Sequence, residues 1–438
     1  MHAHIIIFLI FIIKLTVIGD IIKAMKYRII SLGIFFIAVF GFFVFYSKST
    51  HFADTVIGNI HQNLATAFQE GTISAVSLKD KYNLATLGKA KINVLVVPGH
   101  EPDYGGAEYK NLKERDMNVE LAGYLEGFLK SDTHYGVTAT RDINGWNPDL
   151  AKFFSQRSQD IIDFADQHND DMLRLINDGS IVKIARANRV VHNDVSPDVA
   201  MRLYGINMWA DENKTDMLIN IHFNDFPRRN TRLPGKVSGF TIYVPEKQYS
   251  NASTTRALAE SVYARLAKYN AVSNAPKESS GIIDEQNLIA IGTSNTLDAP
   301  SMLIEYDYIY ETQFSDPKTR SIVLKDLAYE TYLGIQDFFG DTSPARAYDT
   351  LLLPHVWNQA ITENKSDKVD VLALQTALMT EGLYPVPPKN KNNCPRSGKF
   401  GKCTIDALNE FQKKYGIKNE DSIVGKETVK VLNKLFSS

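Results

Sequence analysis

Apolar positions along this chain keep two periods. Short aliphatic and β-branched runs at 92–97, 137–140, 217–221, 240–244 and 302–305 end in polar or Pro-Gly breaks, which predicts strands. Between them, apolar residues recur at helical spacing over 115–130, 150–165, 171–176, 181–192, 199–210, 254–269 and 319–338. In the first of these, Met117, Leu121, Leu125 and Phe128 keep one face. The alternation predicts an α/β domain over residues 91–340, with a mostly parallel central sheet flanked by helices.

The two ends read differently. Residues 29–46 carry no charge, about the ~18 positions a membrane span requires. Lys23, Lys26 and Arg28 precede them, which favours a cytoplasmic N-terminus and an exported remainder. The expectation is a single-pass membrane anchor over 1–46; secretion after signal cleavage is the alternative. Residues 47–90 read as a stalk and 341–366 as a linker. Residues 367–438 predict a small three-helix domain: one helix around Val371, Leu374 and Leu378, one from Thr404 to Tyr415, and one from Glu427 to Leu435.

Composition narrows the class. The 438 residues suggest about three domain-sized units. A net charge of −2 leaves no electrostatic footprint for nucleic acid. The two cysteines, Cys394 and Cys403, form either a local disulfide, if the chain is exported, or two free thiols.

Four candidate residues stand at strand ends or a helix start: His100, Glu114, His222 and Glu305. The carboxyl ends of parallel strands share one edge, where α/β proteins build their sites. Two histidines and a carboxylate make a three-ligand zinc site with a position left for water. A further carboxylate can then serve as general base.

The motifs carrying these residues resemble those of zinc-dependent N-acetylmuramoyl-L-alanine amidases. They are Val97-Pro98-Gly99-His100, Gly106-Ala107, Glu114-Arg115-Asp116-Met117-Asn118, Thr140-Arg141-Asp142, Ala187-Asn188, Asn220-Ile221-His222-Phe223-Asn224 and Ala299-Pro300-Ser301-Met302-Leu303-Ile304-Glu305. The resemblance implies Zn2+ held by His100, Glu114 and His222, with Glu305 as the base. Arg141 and Asn224 become candidates to brace the ligands or position substrate. The implied reaction cleaves the amide between N-acetylmuramic acid and the L-alanine of the stem peptide. The C-terminal segment resembles peptidoglycan-binding domain 1, through Val371 to Leu378, Gly382-Leu383-Tyr384-Pro385, Gly398-Lys399-Phe400-Gly401, Phe411-Gln412, Gly425 and Thr428. Its insert 385–397 is longer than expected, and a Cys394–Cys403 bridge would pin it.

Three departures from the family pattern carry expectations. Val97 stands where the family usually has an acidic residue, and loss of an acceptor behind the ligand weakens metal binding. Tyr306-Asp307-Tyr308 implies a bulkier, more polar pocket wall than the usual small residue and phenylalanine. Residues 143–199 exceed a minimal domain; they either pack on the core or form a helical lid moved by a protein activator. Two rival functions stay open: another zinc-dependent peptidoglycan peptidase or deacetylase, and a catalytically impaired scaffold or activator.

Overall fold

The computed structural model describes residues 72–438 apart from 186–189, 191, 193, 227–228, 342–347 and 364. The predicted anchor and the first part of the predicted stalk lie outside these residues. No helix among the described residues is long and apolar enough to cross a membrane.

Six strands form the central sheet: β1 (Ile92–Pro98), β2 (Tyr135–Ala139), β3 (Met217–Asn224), β4 (Thr241–Pro245), β5 (Ile282–Glu285) and β6 (Ser301–Tyr308). Their order is β2-β1-β3-β6-β4-β5. The first four neighbours run parallel; β4 is antiparallel to β6, and β5 is parallel to β4. The helices are α1 (Ala75–Thr86), α2 (Glu114–Ser131), α3 (Pro148–Gln156), α4 (Ser158–Asn177), α5 (Pro197–Glu212), α6 (Ala252–Tyr269) and α7 (Pro317–Phe339). Then come α8 (Lys368–Thr380), α9 (Lys402–Lys414) and α10 (Lys426–Phe436).

Both faces of the sheet are covered, which explains why its strands read as continuous apolar runs. Val94, Val96, Ile219, Ile221, Ile242 and Ile304 pack with Leu121, Leu258 and Leu327 of α2, α6 and α7. Leu95, Val97 and Leu218 pack on the other face with Leu150, Phe154, Ile161 and Ile206 of α3, α4 and α5. Parallel pairing of β1, β3 and β6 brings their carboxyl ends to one edge, with Pro98 opposite Ile221 and His222 opposite Glu305.

Several expectations need correction. The stalk does not extend to residue 90, because α1 buries Leu78 and Tyr82 in the main core and ties Lys81 to Asp216 at 2.6 Å. The predicted helix 150–165 divides at Arg157, where no Gly or Pro signals a break, and α4 runs on through 166–170 to take in the predicted helix 171–176. Its residues Leu150, Phe154 and Ile161 are core, so α3 and α4 form a fixed layer and not a free lid. The described residues of the predicted helix 181–192 belong to no helix. Strand β5 escapes prediction because it is a four-residue edge with acidic residues at its end.

The predicted linker 341–366 is not a free connection. Leu353, Trp357 and Ile361 lie in the core of the three-helix module with Leu374, Leu408, Phe411 and Leu432. Trp357 Nε1 donates to the Asp370 carbonyl at 3.1 Å. Cys394 and Cys403 are bonded.

The module also holds the α/β layer through one buried guanidinium. Arg396 lies 2.8 Å from Asp326 and 3.2 Å from Glu330, all three nearly solvent-free. Arg396→Met is expected to cost about 3–5 kcal/mol, because it leaves two carboxylates buried without their cation. Denaturant unfolding of the full chain measures this; an unchanged midpoint would contradict it.

Candidate active site

The site begins with a turn that only small residues allow. Strand β1 ends at Pro98, and the Gly99 N–H donates to the Ile221 carbonyl at 2.9 Å. A Cβ on Gly99 would lie 2.1 Å from two ring atoms of His222. His100 follows in the left-handed region at φ 71°. That conformation is uncommon for a side-chain-bearing residue, so the surroundings must impose it. The Gly99 carbonyl is held by Arg141 Nη2 at 2.5 Å and Asn118 Nδ2 at 3.2 Å. Arg141 also donates to the carbonyls of Pro98 and Arg115. Gly106, at φ 82°, closes the loop so tightly that a Cβ there would meet His100 Cδ2 at 2.8 Å and Glu114 Oε2 at 3.0 Å.

Glu114 is the first residue of α2, where the helix dipole favours negative charge. Its Oε2 accepts from the Ala107 N–H at 2.7 Å and its Oε1 from the Phe223 N–H at 3.1 Å. His100 Nε2 and His222 Nδ1 both reach Oε1, at 2.8 and 3.0 Å. Burial pushes the Glu114 carboxyl up, but the charge and hydrogen bond of His100, then those of His222, hold it far below the usual range. Burial lowers His222, with the Glu114 hydrogen bond acting against it. A carboxylate beside a histidine held neutral is the protonation state a metal requires.

These three residues fit zinc. Each offers a ligand atom within 4.8 Å of the others. Ligand atoms ~2.0–2.1 Å from a tetrahedral zinc sit ~3.4 Å apart, a few tenths of an ångström wider than the Glu114–His spacings.

Glu305 sits beside this cluster, as the register partner of His222 on the adjacent parallel strand. Its Oε2 is buried without a hydrogen-bond partner among the described residues. Burial, then the charges of Glu114 and Glu278, raise its carboxyl well above the ordinary glutamate value.

Glu278 escapes the sequence reading. It is buried and accepts from Ser273 Oγ at 2.6 Å, Tyr243 OH at 3.0 Å and Tyr308 OH at 3.1 Å. It lies in a loop with no periodicity, and its partners come from three separate segments, so no local signal marks it. Asn118 is also assigned no role from sequence, although it stands one helical turn after Glu114. Arg141 braces the turn that carries His100, as described. Asn224 approaches Glu278 at 3.5 Å and is not among the three clustered donors.

Two departures change meaning. Val97 is buried in the apolar layer with Leu95 and Leu150, so a hydrophobic side chain is what its position demands. The ligands are braced instead by Asn118, Arg141 and two backbone N–H groups. Tyr306 is not a pocket wall; it is buried in the main core with its hydroxyl 2.8 Å from Thr331. Residues Ala187 and Asn188 lie outside the described set, and the helix leading into β3 is α5, which buries Asn207.

The comparisons agree with this geometry. Residues 94–337 match the family model described as N-acetylmuramoyl-L-alanine amidase. Because that match spans more than half of the 438 residues, the chain belongs to the N-acetylmuramoyl-L-alanine amidase family. Residues 367–432 match a peptidoglycan binding domain. The chain is thus a hydrolase of the amidase class carrying a peptidoglycan-binding module, with peptidoglycan as substrate and ligand.

Solved structures show weaker likeness. An N-acetylmuramoyl-L-alanine amidase from Clostridium difficile 630 is 16% identical over 58% of this chain and 99% of that one, at a TM-score of 0.36. Ami1 from Mycobacterium smegmatis is 13% identical over 58% of this chain and 100% of that one, also at 0.36. The catalytic domain of CwlV from Bacillus (Paenibacillus) polymyxa is 14% identical over 57% and 99%, at 0.34. The family assignment rests on the family model. Comparison with curated proteins found no match.

Proposed function

We propose that this protein is a zinc-dependent amidase that cleaves the bond between the lactyl group of N-acetylmuramic acid and the L-alanine of the stem peptide. The observation that carries this reading is the convergence of His100, Glu114 and His222, with Glu305 on the strand beside them. His100, Glu114 and His222 would hold the zinc. Zinc, when bound there, brings the pKa of a water towards ~7 and polarises the amide carbonyl.

The protein's own residues do the rest. Arg141 and Asn118 fix the Gly99 carbonyl, and so hold the strained turn that presents His100. Glu305 takes the proton from the attacking water on its free Oε2 and delivers it to the departing amine.

In this reading α1 and residues 91–340 form the catalytic domain and 367–438 the wall-binding domain, with Leu353, Trp357 and Ile361 of the preceding segment belonging to the core of the latter. Residues 29–46 would anchor the chain in the cell membrane, with both domains outside the cytoplasm. The test is digestion of purified sacculi. Wild-type protein should release intact stem peptides, leave glycan strands unmodified and bind one zinc per chain. His100→Ala should lose both zinc and activity. Cleaved glycan, cleaved peptide bonds or undiminished activity without zinc would reject the proposal.

A further inference from the structure

The wall-binding module reaches into the catalytic domain through residues 385–397, the insert between α8 and α9. The Cys394–Cys403 bond ties this insert to the start of α9. Arg396 anchors it to Asp326 and Glu330 of α7 and lies over the Tyr269 ring at 5.2 Å. Lys391 Nζ donates to the carbonyls of Ala267 and Lys268 at the end of α6. Both contacts place the insert at the root of the loop that follows α6.

Asn392 makes a third contact. Its Nδ2 lies 2.9 Å from the Val272 carbonyl and 3.2 Å from the Ser238 carbonyl, so one side chain clips two chain segments together. These segments are the approach to β4 and the loop between α6 and β5. They are laced to each other by Phe240 N–H to Ala271, Ser273 N–H to Phe240 and Asn274 N–H to Ser238. The residue after Val272 is Ser273, whose hydroxyl donates to Glu278 at 2.6 Å. Glu278 is the buried carboxylate that accepts from Tyr308, on the strand that carries Glu305, and from Tyr243, on the strand beside it.

We propose that the wall-binding module sets the position of Glu278, which anchors Tyr308 on the strand of Glu305, with Asn392 as the positioning residue that transmits its docking. The module then does more than hold the enzyme on its substrate: turnover itself depends on it. This rests on the amidase reading above, in which Glu305 handles the proton.

The test uses the full chain and two substrates, intact sacculi at saturation and muropeptides solubilised from sacculi by a muramidase. Asn392→Ala is expected to lower kcat about tenfold on both, the loss of roughly one oriented hydrogen bond. KM on muropeptides, sacculus binding by co-sedimentation and the melting temperature should stay at wild-type values. Glu278→Gln should lower kcat as well, and the double variant should be no worse than the more impaired single variant, because both act through one carboxylate. Wild-type kcat in Asn392→Ala overturns the inference, as does full additivity in the double variant. If the wild type releases no stem peptides from either substrate, the amidase reading fails instead.

Discussion

Glu305→Gln is expected to lower kcat for stem-peptide release by about 10²–10⁴-fold, the usual contribution of a positioned acid–base group. Glutamine has the same shape and cannot carry the proton. The fold should not suffer. Glu305 is half-buried, its Oε2 is buried without a partner among the described residues, and its carboxyl is raised well above the ordinary range by burial and by the charges of Glu114 and Glu278. A raised folded-state value favours the protonated form, so its stabilising contribution is complete below the unfolded value and is lost as pH rises through the folded one. The neutral glutamine avoids that loss. In zinc-free protein the melting temperature of Glu305→Gln should therefore match wild type in acid and exceed it as pH rises. Zinc content should be unchanged. Normal turnover in a folded, zinc-loaded Glu305→Gln protein would remove Glu305 from the mechanism.

The second large effect is steric. In Gly99→Ala the new methyl carbon would stand 2.1 Å from His222 Cε1 and Nε2. The backbone cannot yield, because the Gly99 N–H is bonded to Ile221 and its carbonyl to Arg141 and Asn118. His222 must swing out, which removes one of the three donors. Zinc affinity is expected to drop by at least the ~10–100-fold seen when a ligand merely loses its support, and activity with it. Gly127, in the same domain, is the control: a Cβ there meets nothing within 4 Å. It lies inside α2, so Gly127→Ala should stabilise by up to about 1 kcal/mol. Metal titration and sacculus digestion of the two variants, run side by side, distinguish a clash at the site from a general intolerance of alanine. Wild-type zinc affinity in Gly99→Ala would show that the turn has slack that the geometry denies.

Local chemistry explains what the sequence reveals and what it hides. His222 and Glu305 are legible because each ends an apolar run, and Glu114 because it opens an amphipathic helix. His100 is legible because Pro98-Gly99 marks a break. The mostly parallel sheet follows from the same alternation, whereas the adjacency of β1, β3 and β6 does not. Glu278 and Arg396 are invisible by this route. Each lies in a polar loop that looks solvated, and each is buried only because partners from distant segments surround it: Ser273, Tyr243 and Tyr308 around Glu278; Asp326, Glu330 and Tyr269 around Arg396. The supposed linker misleads for a related reason. Prolines at 344 and 354 suggest a flexible connection, while Trp357 alone supplies a large buried anchor that no periodic pattern announces.

The buried Arg396 bears on how the molecule meets its substrate. A wall-binding domain on a flexible tether lets a hydrolase sweep an area and raises the local concentration of cleavable bonds. Here the Arg396 ion pairs with Asp326 and Glu330, and Lys391 on the end of α6, tie the small domain to the catalytic one. Substrate held by the small domain would therefore meet the catalytic edge at a distance that these contacts restrict.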